Sequence, residues 1–259
     1  MQVAILAGGK GTRLLGDQAP LPKPMIEIGG RPMLWHIMKM YAHHGFRDFI
    51  LCLGYKGELI KEHFVRHTDW RDRDFVLDST DPQSPKIHCL EQADEWRVIF
   101  ADTGLSTKTA GRLKRIEPYI QGDCFFATYG DGLADINLAA LLEYHKTHGK
   151  AVTVCVVRAR SQWGVVSLGE GSLVTQFEEK PRVPDWINGG FCVFDRSVLA
   201  HIGPDEDLER ETLPRLAEQG QLVAYAHDGF WMCMDTYKDT IELNELWERG
   251  EAKWRVWDR

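Results

Sequence analysis

Apolar residues recur along the first half of the chain in short blocks of strand length, separated by stretches with apolar positions at helical spacing. Val3–Leu6, Asp48–Leu53, Cys124–Tyr129 and Ala151–Val157 are almost continuously apolar, as strands covered on both faces must be. Between them, Met33–His44 and Glu58–His67 read as amphipathic helices, and a third helix runs from a cap at Asn137 to His148. Gly45 and Gly149 are placed to stop two of these helices. Phe75–Leu77 and Arg97–Ala101 add strands, and Gly111–Glu117 adds a short helix. The alternation predicts a largely parallel sheet with crossover helices on its faces.

Beyond Arg158 the texture changes. Short strands at Gly164–Leu168, Leu173–Glu178 and Gly189–Phe194 precede helices at Ser197–Ile202 and Leu208–Gln219. A strand at Leu222–Ala226 and a helix at Thr236–Glu248 close the chain. With no internal repeat and no Ser/Gly-rich linker, the second half is expected to build onto the same sheet, giving one compact unit.

Composition narrows the function. The chain has 259 residues, 44% hydrophobic and 27% charged, with 38 acidic against 31 basic side chains and a net charge of −7. A broad nucleic-acid-binding surface is therefore not expected, although a local phosphate pocket is allowed. No apolar run is long enough to span a bilayer, and the first one breaks at Gly8, too early for a signal peptide. A cytoplasmic protein without a membrane partner is the expectation. The six cysteines, Cys52, Cys89, Cys124, Cys155, Cys192 and Cys233, are widely spaced and read as buried thiols rather than a disulfide framework or zinc site.

The first candidate for chemistry is Leu6-Ala7-Gly8-Gly9-Lys10-Gly11-Thr12-Arg13-Leu14, which follows directly on the first strand. Glycines let backbone N–H groups approach an anion, and the Arg13 guanidinium can fork onto phosphate oxygens. The spacing is neither that of a Walker A loop nor that of a dinucleotide fingerprint, which disfavours an NAD-dependent oxidoreductase. A glycine-rich turn without a ligand fits the glycines equally well. In Pro22-Lys23-Pro24-Met25, two prolines restrict where a single ammonium can point. Asp131, in a Gly-Asp-Gly turn, and Asp235, ahead of the last helix, have ordinary structural readings as a turn residue and a helix N-cap.

Taken together, Leu6–Leu14 and Pro22–Met25 resemble the sugar-1-phosphate nucleotidylyltransferase family. The resemblance continues through Glu27–Tyr41, Gly54–Gly57, Gly111–Arg115, Thr128–Gly132, Phe177–Pro181, Asn188–Phe191 and Met234–Thr236, and is closest to the glucose-1-phosphate cytidylyltransferase branch. It implies a three-layer α/β/α Rossmann-like fold with a predominantly parallel mixed sheet and a smaller β-rich portion. Residues 1–157 would bind the nucleotide, and residues 158–259 the sugar and a second subunit of a homo-oligomer.

The implied reaction is transfer of a nucleotidyl group from CTP to α-D-glucose 1-phosphate, by in-line attack on the α-phosphorus with Mg²⁺ as cofactor. UTP, dTTP or another sugar 1-phosphate would keep the same chemistry, and an inactive sugar-nucleotide-binding regulatory subunit is a rival of another class. By the same resemblance, Leu6, Ala7, Gly8, Gly9, Lys10, Gly11, Thr12 and Arg13 hold the triphosphate, with Thr107, Arg112 and Gly130 near the nucleotide. Arg13 and Lys23 are the catalytic cations, and Asp131 and Asp235 hold the metal. Glu179, Lys180, Asn188 and Gly189 face the sugar phosphate. Lys10 and the stretch Arg158–Gln162 depart from the branch's usual pattern.

Overall fold

The computed structural model describes residues 1–9, 21–66, 75–76, 80, 86–87, 96–161 and 163–258. Its central sheet has seven strands: β1 (Gln2–Leu6), β2 (Asp48–Leu53), β3 (Arg97–Asp102), β4 (Cys124–Tyr129), β5 (Val152–Val157), β6 (Ile187–Asp195) and β7 (Leu222–His227). They lie in the order β7-β5-β6-β4-β1-β2-β3. Strand β6 is antiparallel to both of its neighbours, and every other adjacent pair is parallel. Val3 stands beside Phe49 of β2 and Phe126 of β4. Strand β1 is thus interior to the sheet, which accounts for its unbroken apolar run.

Helices α1 (Met33–His43), α2 (Gly57–Arg66), α3 (Thr109–Arg115), α4 (Leu138–His148), α5 (Leu213–Glu218) and α6 (Tyr237–Glu248) complete the architecture. Successive side chains of β1 point to opposite faces. Val3 and Ile5 pack with Met33 and Ile37 of α1, Leu141 of α4 and Leu243 of α6. Ala4 packs on the other face with Leu113 of α3 and Leu216 of α5. The result is the three-layer α/β/α arrangement that the resemblance implied, with a mostly parallel sheet in the middle.

At two boundaries that differ from the sequence expectation, proline is the local cause. Helix α3 stops at Arg115 instead of Glu117, because Pro118 disfavours helical backbone at Glu117, and a 3₁₀ turn takes over at Glu117–Tyr119. The expected helix from Leu208 to Gln219 begins as a π-helical turn, Leu208–Thr212, and becomes α-helical only at Leu213, beside Pro214 with its missing N–H. Asn137 does cap α4, accepting from Ala140 N at 3.0 Å, and Gly149 ends that helix in the left-handed region.

His36 of α1 ties the carboxy-terminal part to the sheet. It is fully buried, and Trp247, Trp254 and Trp257 close around its ring. Indole N–H is only a donor, so the 3.3 Å contact from Trp254 Nε1 makes His36 Nδ1 the acceptor. Nε2 therefore carries the proton and donates to the Ile28 carbonyl at 2.8 Å. A second proton would set N–H against N–H. Burial, only partly offset by the backbone hydrogen bonds, lowers the His36 pKa to about 4.

An unfolded chain takes up this proton near pH ~6.5, whereas the folded one resists until about pH 4. The stabilisation from neutral His36 is therefore complete above pH ~6.5 and is lost as pH falls towards 4, an expected decline of about 3 kcal/mol. Urea unfolding at a series of pH values checks this, with His36→Gln expected to remove that part of the pH dependence. Gly29 N also donates to Asn244 Oδ1 at 2.9 Å, so helix α6, which begins just after Asp235, is anchored from two sides.

Candidate active site

Three side chains from distant parts of the chain meet beyond the carboxyl ends of β1 and β4. Lys23 opens a 3₁₀ turn, Lys23–Met25, between Pro22 and Pro24, and the turn is closed by Met25 N to Pro22 O at 2.8 Å. Asp131 follows β4 directly. Gly130, just before it, lies so close to the Lys23 turn that a Cβ there would sit 2.9 Å from Pro24 Cγ and 3.2 Å from Leu6 O. Only glycine allows that approach, which brings Asp131 within reach of Lys23. Met234 N donates to Asp131 O at 2.9 Å, so Asp131 is paired with the segment that carries Asp235.

Asp235 is not the N-cap of α6. Thr236 takes that position in a capping box with Asp239, whose Oδ2 accepts from Thr236 N at 2.6 Å and from Asp235 N at 2.9 Å. The Asp235 carboxylate is thereby left to point at Lys23. Lys23 Nζ is 2.6 Å from Asp131 Oδ2 and 2.7 Å from Asp235 Oδ1. Burial by itself lowers the Lys23 pKa, but the charge and hydrogen bond of Asp131, with the hydrogen bond of Asp235, outweigh it and raise the pKa overall. Lys23 is an ammonium at any physiological pH.

The Asp131, Cys233 and Asp235 donor atoms all lie within 4.8 Å of one another. Lys23 is thus in contact with both carboxylates. A cation already bridges the carboxylates here, in the form of the ammonium. Hard oxygen donors converging in this way fit a hard divalent cation, and Asp131 and Asp235 are the residues that would hold it.

Beside this cluster runs a groove of about 1660 Å³, whose lining includes Asp235, Lys180, Arg160, Arg182, His227 and Trp231. Lys180, expected on the sugar side, thus shares one cavity with Asp235. Lys180 adopts a left-handed backbone with φ 50°, turning the chain ahead of Pro181. Glu179 is solvent-exposed. Asn188 Nδ2 lies 3.4 Å from Tyr129 Oη, while Gly189 O accepts from Trp231 Nε1 at 2.8 Å. The β5–β6 register slips between Val154 and Val156, opposite Gly189–Phe191, so both glycines lie in a bulge.

The start of the glycine-rich segment is shaped from below. Leu6 ends β1, Ala7 and Gly8 are buried, and Gly9 is exposed. Arg112 is buried beneath Gly8, donating to Gly8 O at 3.1 Å, Leu53 O at 3.1 Å and Thr103 Oγ1 at 2.7 Å. Burial lowers the Arg112 pKa. Its guanidinium is committed to the backbone that carries the loop, and Thr107 is half-buried in the turn before α3. Lys10, Gly11, Thr12 and Arg13 lie outside the described residues.

Cys233, expected from sequence only as a buried thiol, is half-buried beside the two aspartates, and neither the Thr236–Asp239 capping box nor Glu209 is among the sequence expectations. Only the capping box left a readable signal, Thr-x-x-Asp before an amphipathic run.

A sheet whose first strand feeds a glycine-rich loop, with a lysine and two aspartates converging beyond it, is the arrangement of a nucleotide-transferring enzyme. The nucleotidyl transferase family model matches residues 2–250, and the chain belongs to that family. It is 44% identical to the glucose-1-phosphate cytidylyltransferase of Salmonella typhimurium, over 100% of both chains. It is 31% identical to a mannose-1-phosphate guanyltransferase of Aspergillus fumigatus, covering 98% of this chain and 66% of that one. The crystal structure of HddC from Yersinia pseudotuberculosis shares the fold at a TM-score of 0.70 and 21% identity, covering 95% of this chain and 99% of that one.

Proposed function

We propose that the protein transfers a cytidylyl group from CTP to α-D-glucose 1-phosphate, giving CDP-glucose and pyrophosphate. The observation that carries this reading is the meeting of Lys23 with Asp131 and Asp235 at one end of the groove that Lys180 also lines. Choice of cytosine and glucose is supported by the 44% identity to a cytidylyltransferase against 31% to a guanyltransferase.

In the reaction, an oxygen of the sugar phosphate attacks the α-phosphorus of CTP, the bond from that phosphorus to the bridging oxygen breaks, and pyrophosphate leaves with the bonding electrons. Two polyanions must approach, and each pair of unit like charges ~4 Å apart repels by about 4 kcal/mol at an effective dielectric of ~20. Charge neutralisation and alignment are therefore the main catalytic tasks, and no covalent protein intermediate is needed.

Lys23 leaves the two carboxylates to donate to an α-phosphate oxygen as charge builds there. Asp131 and Asp235 would hold Mg²⁺, which would supply positive charge to neutralise the triphosphate. Leu6–Arg13 cradle the triphosphate, with Arg13 as the second catalytic cation. Arg112 supports that loop, and Thr107 and Gly130 complete the nucleotide side. Lys180 neutralises the sugar phosphate, while Glu179, Asn188 and Gly189 border the sugar. Residues 1–157 form the nucleotide part and residues 158–259 the sugar part.

The second part also supports self-association into a homo-oligomer. The antiparallel hairpin of Val165–Leu168 and Val174–Glu178 stands outside the central sheet and exposes Val165, Val166, Leu168, Val174 and Phe177. Val166 pairs with Phe177 and Leu168 with Val174, and exposed apolar pairs of this kind support a contact surface that a second copy of the chain fits. Light scattering on the purified protein is expected to give a mass above the 29.6 kDa of one chain. Among the described residues no helix is long and apolar enough to cross a membrane. We place the reaction in the cytoplasm, where nucleoside triphosphates are available and thiols such as Cys52, Cys155 and Cys192 remain reduced.

The test is pyrophosphate release from CTP and glucose 1-phosphate with Mg²⁺, in parallel with UTP, dTTP and GTP. CTP is expected to be the preferred donor. Release with another triphosphate alone would reassign the base, and no release from any pair would overturn the enzyme reading.

A further inference from the structure

Glu209 connects the nucleotide side of the site to the sugar side, although it belongs to neither motif. Its Oε1 accepts the hydroxyl of Tyr129, and its Oε2 accepts from Thr109 Oγ1 at 2.8 Å. Tyr129 is the last residue of β4, immediately before Gly130-Asp131, and its hydroxyl oxygen receives Asn188 Nδ2 from β6 at 3.4 Å. Asn188 Oδ1 in turn accepts from Gly190 N at 2.8 Å, bracing the bulge. On the other side, Thr109 begins α3, the helix that carries Arg112 under Gly8, and its hydroxyl accepts from Leu208 N at 2.9 Å.

The carrier of Glu209 is itself held. The Asp207 side chain accepts from Glu209 N at 3.1 Å and Arg210 N at 2.9 Å, fixing the π-helical turn Leu208–Thr212. Gly111 N donates to Glu206 O at 3.0 Å, clamping that turn against α3. One carboxylate thus satisfies two hydroxyl donors, one from β4 and one from α3.

We propose that Glu209 is a positioning residue, which acts through Tyr129 and Thr109 to hold the sugar-side Asn188 at a fixed place relative to the nucleotide-side helix α3. The inference rests on the transfer reaction proposed above. Small displacements of one substrate relative to the other are costly in an in-line displacement, so the effect belongs in turnover with both substrates and not in binding of either alone.

Glu209→Gln keeps the side chain's size but leaves one acceptor for two hydroxyl donors. It is expected to lower kcat/KM for glucose 1-phosphate by roughly 10- to 100-fold, with CTP affinity by calorimetry in the absence of sugar changed less than about twofold. Tyr129→Phe is expected to give a similar loss, and the double variant no more than the larger single loss, because both cut one network. Thr109→Ser retains the hydroxyl and is expected to behave as wild type, whereas Thr109→Val resembles Glu209→Gln. The Thr109 pair carries the test if Glu209→Gln does not fold.

Wild-type kinetics in Glu209→Gln and Thr109→Val, fully additive losses with Tyr129→Phe, or a loss confined to thermal stability would each overturn the proposal. An inactive wild-type protein would instead count against the transfer reaction itself, so the two failures are distinguishable.

Discussion

Lys23→Met is expected to lower kcat by roughly a thousandfold, the scale on which removal of a single preorganised charge donor acts on an oxyanion-like transition state. Methionine preserves most of the volume of a side chain that is only 14% exposed, so the fold should persist. What disappears is the ammonium that bridges Asp131 and Asp235 at 2.6 and 2.7 Å. The same change has an opposite effect on the resting protein. There the ammonium occupies the carboxylate oxygens that a divalent cation needs, so the variant is expected to bind Mn²⁺ severalfold more tightly than wild type without nucleotide. Steady-state kinetics and a Mn²⁺ titration check the two halves. Lys23→Arg should not rescue turnover, because a planar guanidinium cannot replace a compact ammonium between two carboxylates in a Pro-flanked turn.

Replacing either aspartate attacks the same cluster from the other side. Asp131→Asn and Asp235→Asn each remove one negative charge and one strong oxygen donor, while keeping shape and a hydrogen-bond acceptor. Each is expected to reduce kcat by roughly a hundred- to a thousandfold and to weaken divalent-cation binding by at least about tenfold. The double variant should lose little more than the worse single one, since the pair acts as a unit. Activity as a function of Mg²⁺ concentration, beside direct Mn²⁺ binding, separates loss of metal from loss of fold. Normal metal dependence in both single variants would remove these residues from the site.

The elements built from long apolar runs were legible in the chain. Strand β2 has the expected boundaries, and the Asn137 cap and the Gly149 stop of α4 follow from local chemistry that tertiary packing did not override. The π turn at Leu208–Thr212 was not legible, because no local pattern distinguishes it from a first helical turn. The burial of His36 also depends on Trp254, 218 residues away, which spacing along the sequence cannot reveal.

The site shows the same division. Lys23 and Asp131 are 108 residues apart, and Lys23 and Asp235 are 212 apart, so their meeting was legible only as a family resemblance. Their ordinary readings were otherwise reasonable, and for Asp235 the structure assigns the N-cap to Thr236 instead. Arg112, which the family resemblance puts near the nucleotide, lies beneath Gly8, and its partners, backbone carbonyls and the Thr103 hydroxyl, carry no sequence signal. Glu209 was invisible for a related reason: its partners Tyr129 and Thr109 come from the other half of the chain.

The most direct test of the convergence on one phosphorus is a crystal structure with CTP and Mg²⁺ bound. Lys23 Nζ should have left the carboxylates and lie about 3 Å from an α-phosphate oxygen, with Asp131 and Asp235 both on the ion. A triphosphate bound elsewhere, with Lys23 still clasped between the two aspartates, would contradict the account.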